Sequence, residues 1–322
     1  LSMLLLGYWH GPHFQILKSS RFATMKHVAI IGNGAIGNVL AYQLQQAGYS
    51  FDVVLRKHTS LTLTVANNHQ QQSLKIHSIA PSKLRVADVV IFPLKAYQLI
   101  DAVNMYLPFI STNTPIILLN NGLGPQQQLA NHITNPLIAA TTSYGAYKAS
   151  PTHCMLTGQG ETHAGLINTP GCATDAVISL INDTLPPCTW HHDITPFLWR
   201  KVAINAVINP LTAVNNIKNG ALMAPVYQST ITDICEEVGL VMRENQLPIT
   251  THELITNVYK VIQNTADNYS SMNRDIAEKR KTEIEFINGF IVKEGKKRGI
   301  DTPINKALWH QVLALEHANQ HQ

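Results

Sequence analysis

Cysteine is scarce in this chain, with four in 322 residues, at positions 154, 172, 188 and 235. They form no C-x-x-C and no Cys/His run with zinc spacing, which argues against a disulfide framework and a structural zinc site. The 15 histidines are scattered, and the pair His191-His192 reads as surface, so no metal is expected. Charge is also sparse, at 14% of residues with a net of +4. No dense basic run carries interleaved aromatics, which argues against nucleic acid. The cluster Lys293 to Arg298 is broken by Glu294 and Gly295 and reads as a solvated helix end. No apolar run approaches the roughly 20 residues of a membrane span. Met3 to Leu6 is apolar, yet it lacks the basic flank and cleavage site of a leader, so residues 1–24 read as an extension. What remains has ordinary apolar content (45%) and enough length for two domains. Thiols of this kind suit a reducing, cytoplasmic setting. The expected partner is a small molecule, with no nucleic acid and no membrane, in a monomer or homodimer.

Against this background one motif stands out, Ile30-Ile31-Gly32-Asn33-Gly34-Ala35-Ile36-Gly37, a G-x-G-x-x-G. The apolar run Val28 to Ile31 has strand character. Asn38 to Gly48 reads as a helix with Val39, Leu40 and Leu44 on one face. Strand, glycine turn and helix together give the context of a dinucleotide site. Gly32 makes the turn, Gly34 admits a pyrophosphate and Gly37 lets the helix pack close. The helix N-terminus then meets the phosphates with free N–H groups and the positive end of its dipole. The alternative is a glycine-rich turn with no ligand.

A second strand, Phe51 to Leu55, ends at Arg56-Lys57. An acid near the end of this strand binds the ribose 2′-hydroxyl of NAD; here Asp52 comes too early and Arg56 takes its place. A guanidinium there can hold a 2′-phosphate bidentately, which favours NADPH/NADP+. The competing reading is a solvated Arg-Lys pair.

From Lys26 to about Trp190, short apolar runs alternate with helical stretches. Val86 to Phe92, Pro115 to Leu119 and Leu137 to Thr141 lack period-two alternation and suit a parallel sheet covered on both faces. Thr152 to Leu166 is expected as antiparallel strands at the sheet edge. After Asp193 the pattern is helical: Phe197 to Val214, Pro225 to Asn245, Thr251 to Asn264, Arg274 to Arg298 and Pro303 to Ala318. The expectation is an α/β fold class. A Rossmann-type NADP-binding domain over 25–192 precedes an all-helical substrate domain over 193–322, with a cleft between them.

In the first of these helices Lys201, Asn205 and Asn209 recur at i, i+4 and i+8, covering about 80° of one face. Two asparagines are poor helix formers, and a cation and two amides on a largely apolar helix need partners. They bind a ligand or form a polar seam that caps a neighbouring loop. Pro210 should kink this helix or free a carbonyl. Farther on, Ile284, Ile287 and Ile291 make an apolar stripe with Glu283 at its border, while Glu285 points elsewhere. Taken alone, Glu283 reads as a surface salt bridge, and Asn268 and Ser271 as helix caps.

Taken together, these segments resemble the ketopantoate reductase (2-dehydropantoate 2-reductase) family. The matching stretches are Gly32 to Gly37, Leu94-Lys95-Ala96-Tyr97-Gln98, Asn121-Gly122-Leu123-Gly124, Leu198 to Thr212, Ser270-Ser271-Met272 and Thr282 to Phe290. The resemblance implies NADPH-dependent reduction of ketopantoate in pantothenate synthesis. It implies Lys201 as general acid, assisted by Glu283. Asn205, Asn209, Asn268 and Ser271 would hold the substrate, and Arg56 the 2′-phosphate. Lys95 and Asn121 would sit near the nicotinamide end, with Asn121 also beside the substrate. The cofactor loop would be Gly32, Asn33, Gly34, Ala35, Ile36 and Gly37. Two departures are Tyr144, where relatives carry histidine, and Asn120-Asn121, where a histidine-asparagine pair is common. Rival readings are a dehydrogenase of another 2-keto or hydroxy acid, and an NADP(H)-sensing protein without turnover.

Overall fold

The computed structural model describes residues 27–56, 60–66, 70–168, 174–247 and 249–320; the extension expected over residues 1–24 lies outside them. The strands are β1 (His27–Ile31), β2 (Ser50–Val54), β3 (Ser60–Ala66), β4 (Gln71–His77), β5 (Val89–Phe92), β6 (Ile116–Leu119), β7 (Leu137–Thr142), β8 (Gly145–Ser150), β9 (His153–Gly158), β10 (Thr162–Leu166) and β11 (Cys188–His191). A seven-stranded sheet has the order β11-β10-β7-β6-β5-β1-β2, parallel except where β10 runs against β7. Among the helices, α1 (Ala35–Gln46), α2 (Ala96–Tyr106), α3 (Pro125–Ala130) and α4 (Thr174–Thr184) fall between these strands.

Both faces of the large sheet are covered, so its strands need no polar face. Val28 and Ile30 of β1 pack with Val39, Leu40 and Leu44 of α1, whereas Ala29 and Ile31 pack toward Leu99 and Val103 of α2. Helix α1 stops at a left-handed Gly48 (φ +78°). There the N–H of Tyr49 donates to Leu44 O and that of Gly48 to Gln45 O, the double bond of a glycine C-cap.

A second sheet, in the order β4-β3-β9-β8, was not expected. It lies over α1, and Leu63, Val65, Leu74, Ile76 and Leu156 join the α1 core. The segment 152–166 is therefore divided. β9 belongs to the small sheet and only β10 enters the large one, while β11 forms the edge. The run from Val86 also begins later than expected, because Pro81–Val86 is a 3-10 helix with Val86 69% exposed. Asp88 ties this bend to the start of β1 by accepting from His27 N.

Beyond β11 the described chain is helical: α5 (Thr195–Asn215), α6 (Gln228–Glu244), α7 (Thr251–Asn264), α8 (Ser271–Ala277), α9 (Asn288–Lys297) and α10 (Pro303–Gln320). Helix α5 runs through Pro210, which removes a donor to the Ala206 carbonyl; Asn288 Nδ2 replaces it at 2.9 Å. The helix expected from Arg274 to Arg298 is broken. α8 ends at Ala277, a left-handed Lys279 follows, and Ile284–Phe286 makes a separate 3-10 turn before α9. Ile284, Ile287 and Ile291 are all buried as expected. Within this break Thr282 donates its N–H to the buried carboxylate of Glu316 at 2.7 Å.

Candidate active site

The glycine loop follows from β1 entering α1. Gly32 (φ +92°) donates its N–H to Val54 O at 2.8 Å, a conformation only glycine holds without strain. A Cβ on Gly37 would lie 3.0 Å from Gly32 O and 3.2 Å from Pro93 Cγ, so closeness of packing demands that glycine. Gly34 differs, because its nearest neighbour would be 3.7 Å away and the residue is exposed. It is the N-cap of α1, with no capping side chain and no acid in the first turn. The helix end formed with Ala35 and Ile36 thus stands open and suits an anion. Asn33 turns its carbonyl toward Lys148 Nζ, at 3.3 Å. Arg56, just past β2, is exposed and makes no hydrogen bond or ion pair with a described residue.

Lys95 caps α2 at the carboxyl end of β5 and reaches across to the helical half. Its Nζ lies 2.7 Å from Asp275 Oδ2 and 3.4 Å from Glu283 Oε2. Glu283 Oε1 also accepts the N–H of Ala96 at 2.9 Å, while Asp275 Oδ1 takes Arg280 Nε at 3.0 Å. Burial by itself would lower the Lys95 ammonium, but Glu283 and Asp275 together hold it above its ordinary value. Burial pushes the Glu283 carboxyl up, against the opposing pull of Lys95. Two buried carboxylates thus meet the Lys95 ammonium, and Asp275 also holds the Arg280 guanidinium. A surface salt bridge is therefore not what Glu283 makes. Glu285, by contrast, turns away to Lys293 and Trp309 Nε1.

The loop after β6 docks on the same segment. Leu123 N donates to Phe286 O at 2.9 Å, and a Cβ on Gly122 (φ +86°) would collide with Phe286 at 2.7 Å. Asn120 spends its amide within the turn and on Gln126. The neighbouring Asn121 side chain is half-buried and makes no hydrogen bond to a described residue.

On α5, Lys201 is half-buried with no hydrogen bond or ion pair to a described residue, and burial lowers its pKa. Asn205 is half-buried and Asn209 buried, and neither side chain is hydrogen-bonded to a described residue. A seam that capped a neighbouring loop would have shown partners. Asn268 and Ser271 are exposed; the cap of α8 is Ser270, whose Oγ accepts from Asn273 N and Thr212 Oγ1. Lys95 and Glu283 are thus brought together. No hydrogen bond joins Glu283 to Lys201.

Sequence reasoning missed Asp275, Arg280, Lys148 and a histidine pair. His163 Nδ1 and His191 Nε2 are 2.9 Å apart, and Phe197 stacks on both rings. Burial, aided by Arg200 and Lys201, holds His163 below its ordinary pKa. Only β10 lying beside β11 makes this pair, so no local pattern announces it. Asp275 stands near Glu283 in the sequence, but the broken helix that aims both at Lys95 is a tertiary feature. Tyr144 is structural: it is buried and its hydroxyl donates to Pro186 O at 2.6 Å. A cavity of about 870 Å³ lined by Leu123, Trp199, Phe286, Phe290 and Lys293 holds none of the residues assigned to chemistry.

Two family profiles match the chain: ketopantoate reductase PanE/ApbA over residues 28–169, and ketopantoate reductase PanE/ApbA C terminal over 193–316. A 2-dehydropantoate 2-reductase of Vibrio cholerae is 36% identical over 292 residues, spanning 90% of this chain and 98% of that protein. The solved structure of a PanE/ApbA family ketopantoate reductase from Ralstonia eutropha has a TM-score of 0.83 at 24% identity, covering 92% of this chain and 100% of that one. D-mandelate dehydrogenase with NADH and anilino(oxo)acetate reaches 0.83 at 22% identity, covering 91% and 99%. The last two likenesses concern the fold, which hosts more than one substrate.

Proposed function

The chain belongs to the ketopantoate reductase family, and on that premise we propose that it reduces 2-dehydropantoate (ketopantoate) to (R)-pantoate with NADPH, in pantothenate synthesis. The observation that carries this reading is the row of Lys201, Asn205 and Asn209 on α5, none of whose side chains pairs with a described residue, in a chain that also places the Lys95–Glu283 pair at the carboxyl end of β5.

The dinucleotide, when bound, supplies the hydride. Its pyrophosphate fits the open N-terminus at Gly34, which no described side chain caps and where a Cβ would come no closer than 3.7 Å to a neighbour. Arg56 is free to take a 2′-phosphate, and the preference for NADPH over NADH rests on it. As the keto oxygen gains charge, Lys201 donates a proton to it from Nζ. A burial-lowered ammonium gives up that proton more readily than an exposed one. Asn205 and Asn209 orient the substrate with neutral donors, joined by Asn121 and Asn268 from loops and Ser271 from the first turn of α8. Glu283 acts from the nicotinamide side beside Lys95, and its raised pKa suits a group that passes a proton back to the site. We take residues 25–192 as the cofactor half and 193–322 as the substrate half, with the reaction between them.

The test is loss of NADPH absorbance with ketopantoate, beside 2-ketoisovalerate, pyruvate and NADH. Rapid loss only with NADPH and ketopantoate is expected. Faster loss with another keto acid would reassign the substrate, and cofactor binding without turnover would favour a sensor.

A further inference from the structure

We propose that Lys148 is a second cationic contact for the cofactor, meeting the pyrophosphate at the glycine loop from the small sheet; this rests on the dinucleotide reading of that loop. Lys148 lies on β8, in a sheet the dinucleotide motif does not include, and the contact of that sheet with α1 brings its side chain to the loop. The ammonium is half-buried and donates to Asn33 O at 3.3 Å, within the G-x-G-x-x-G itself. One strand along, Cys154 Sγ reaches Ala35 O at 3.5 Å, so both sides of the loop are fastened to the small sheet.

The charge is out of place unless something balances it. Every Asp and Glu of the chain lies among the described residues, and none pairs with Lys148. The first turn of α1 carries no acid, and its N-terminus is the positive end of a helix dipole. Burial lowers the proton affinity of this lysine, as expected for an ammonium without a counter-ion. An anion seated on the N–H groups at Gly34 reverses each of these penalties. The pyrophosphate is the group that the loop receives, whereas the 2′-phosphate belongs to Arg56 at the end of β2. The two cations thus read different parts of one cofactor. Lys148 senses what NADPH and NADH share, and Arg56 senses what distinguishes them.

Titrating wild type, Lys148→Gln, Lys148→Arg and Arg56→Ala with NADPH and with NADH, followed by nicotinamide fluorescence, tests this. Lys148→Gln is expected to raise Kd about tenfold for both dinucleotides, with an unchanged melting temperature, while Lys148→Arg restores most of the affinity. Unchanged Kd values in Lys148→Gln overturn the proposal. A rise for NADPH alone also overturns it, by moving Lys148 to the 2′-phosphate. If wild type binds neither dinucleotide, the reading of the loop itself has failed, and this is distinct from a failure confined to Lys148.

Discussion

Replacing Lys201 by methionine is expected to move activity and stability in opposite directions. The methionine keeps an unbranched stem of similar length at this half-buried position, so packing changes little. The ammonium it removes is half-buried and has no described carboxylate within ion-pair distance. Exchange of buried charge for apolar groups is often neutral or stabilising by about 1–4 kcal/mol. With part of the side chain still wetted, the low end applies, about 1 kcal/mol or about 2 °C in Tm for a chain of this length. Loss of the proton donor should lower kcat by about 10²–10⁴. The pH dependence carries the same sign argument. The folded-state pKa of Lys201 lies below its unfolded value, so its destabilising effect is complete below the folded value. That effect fades as pH rises from the folded toward the unfolded pKa. Wild-type and variant stabilities should therefore converge at alkaline pH, while wild-type turnover declines through the folded pKa. Differential scanning calorimetry and the NADPH assay on the same preparations give both readouts. A variant that melts several degrees lower, or turns over normally, refutes the assignment of an unpaired catalytic ammonium.

Arg56→Ala should weaken NADPH about tenfold to a hundredfold while leaving NADH within about twofold, since one charge-assisted contact to the 2′-phosphate is removed; equal losses in a fluorescence titration would contradict it. Asn288→Ala removes the donor that serves the Ala206 carbonyl beneath Pro210. It should destabilise the protein by about 2–4 kcal/mol in urea unfolding, from an orphaned buried acceptor and a small cavity. A loss under about 0.5 kcal/mol would mean that the carbonyl finds another partner.

The sequence alone determined those features whose physics is local. A left-handed Gly32, a tightly packed Gly37 and an open Gly34 follow from eight consecutive residues, since turn, close approach and helix start are all short-range requirements. The row of Lys201, Asn205 and Asn209 follows from helical periodicity, and the apolar character of Ile284, Ile287 and Ile291 marked them for burial although the segment is not one continuous helix. Local pattern could not decide which groups meet across the chain. The four-stranded sheet depends on β3 finding β9, and nothing in the composition of either strand specifies that pairing. The break between α8 and α9 opens at a left-handed Lys279, and within it Glu316, far along the chain, accepts the Thr282 N–H. The same break carries Asp275 and Glu283 to one ammonium, so the partner of Glu283 is Lys95, which lies 188 residues away. Lys148 reaches the glycine loop only because the small sheet covers α1. Residue identity and periodicity set which side chains were available for chemistry; long-range packing and hydrogen bonding decided which of them share a site.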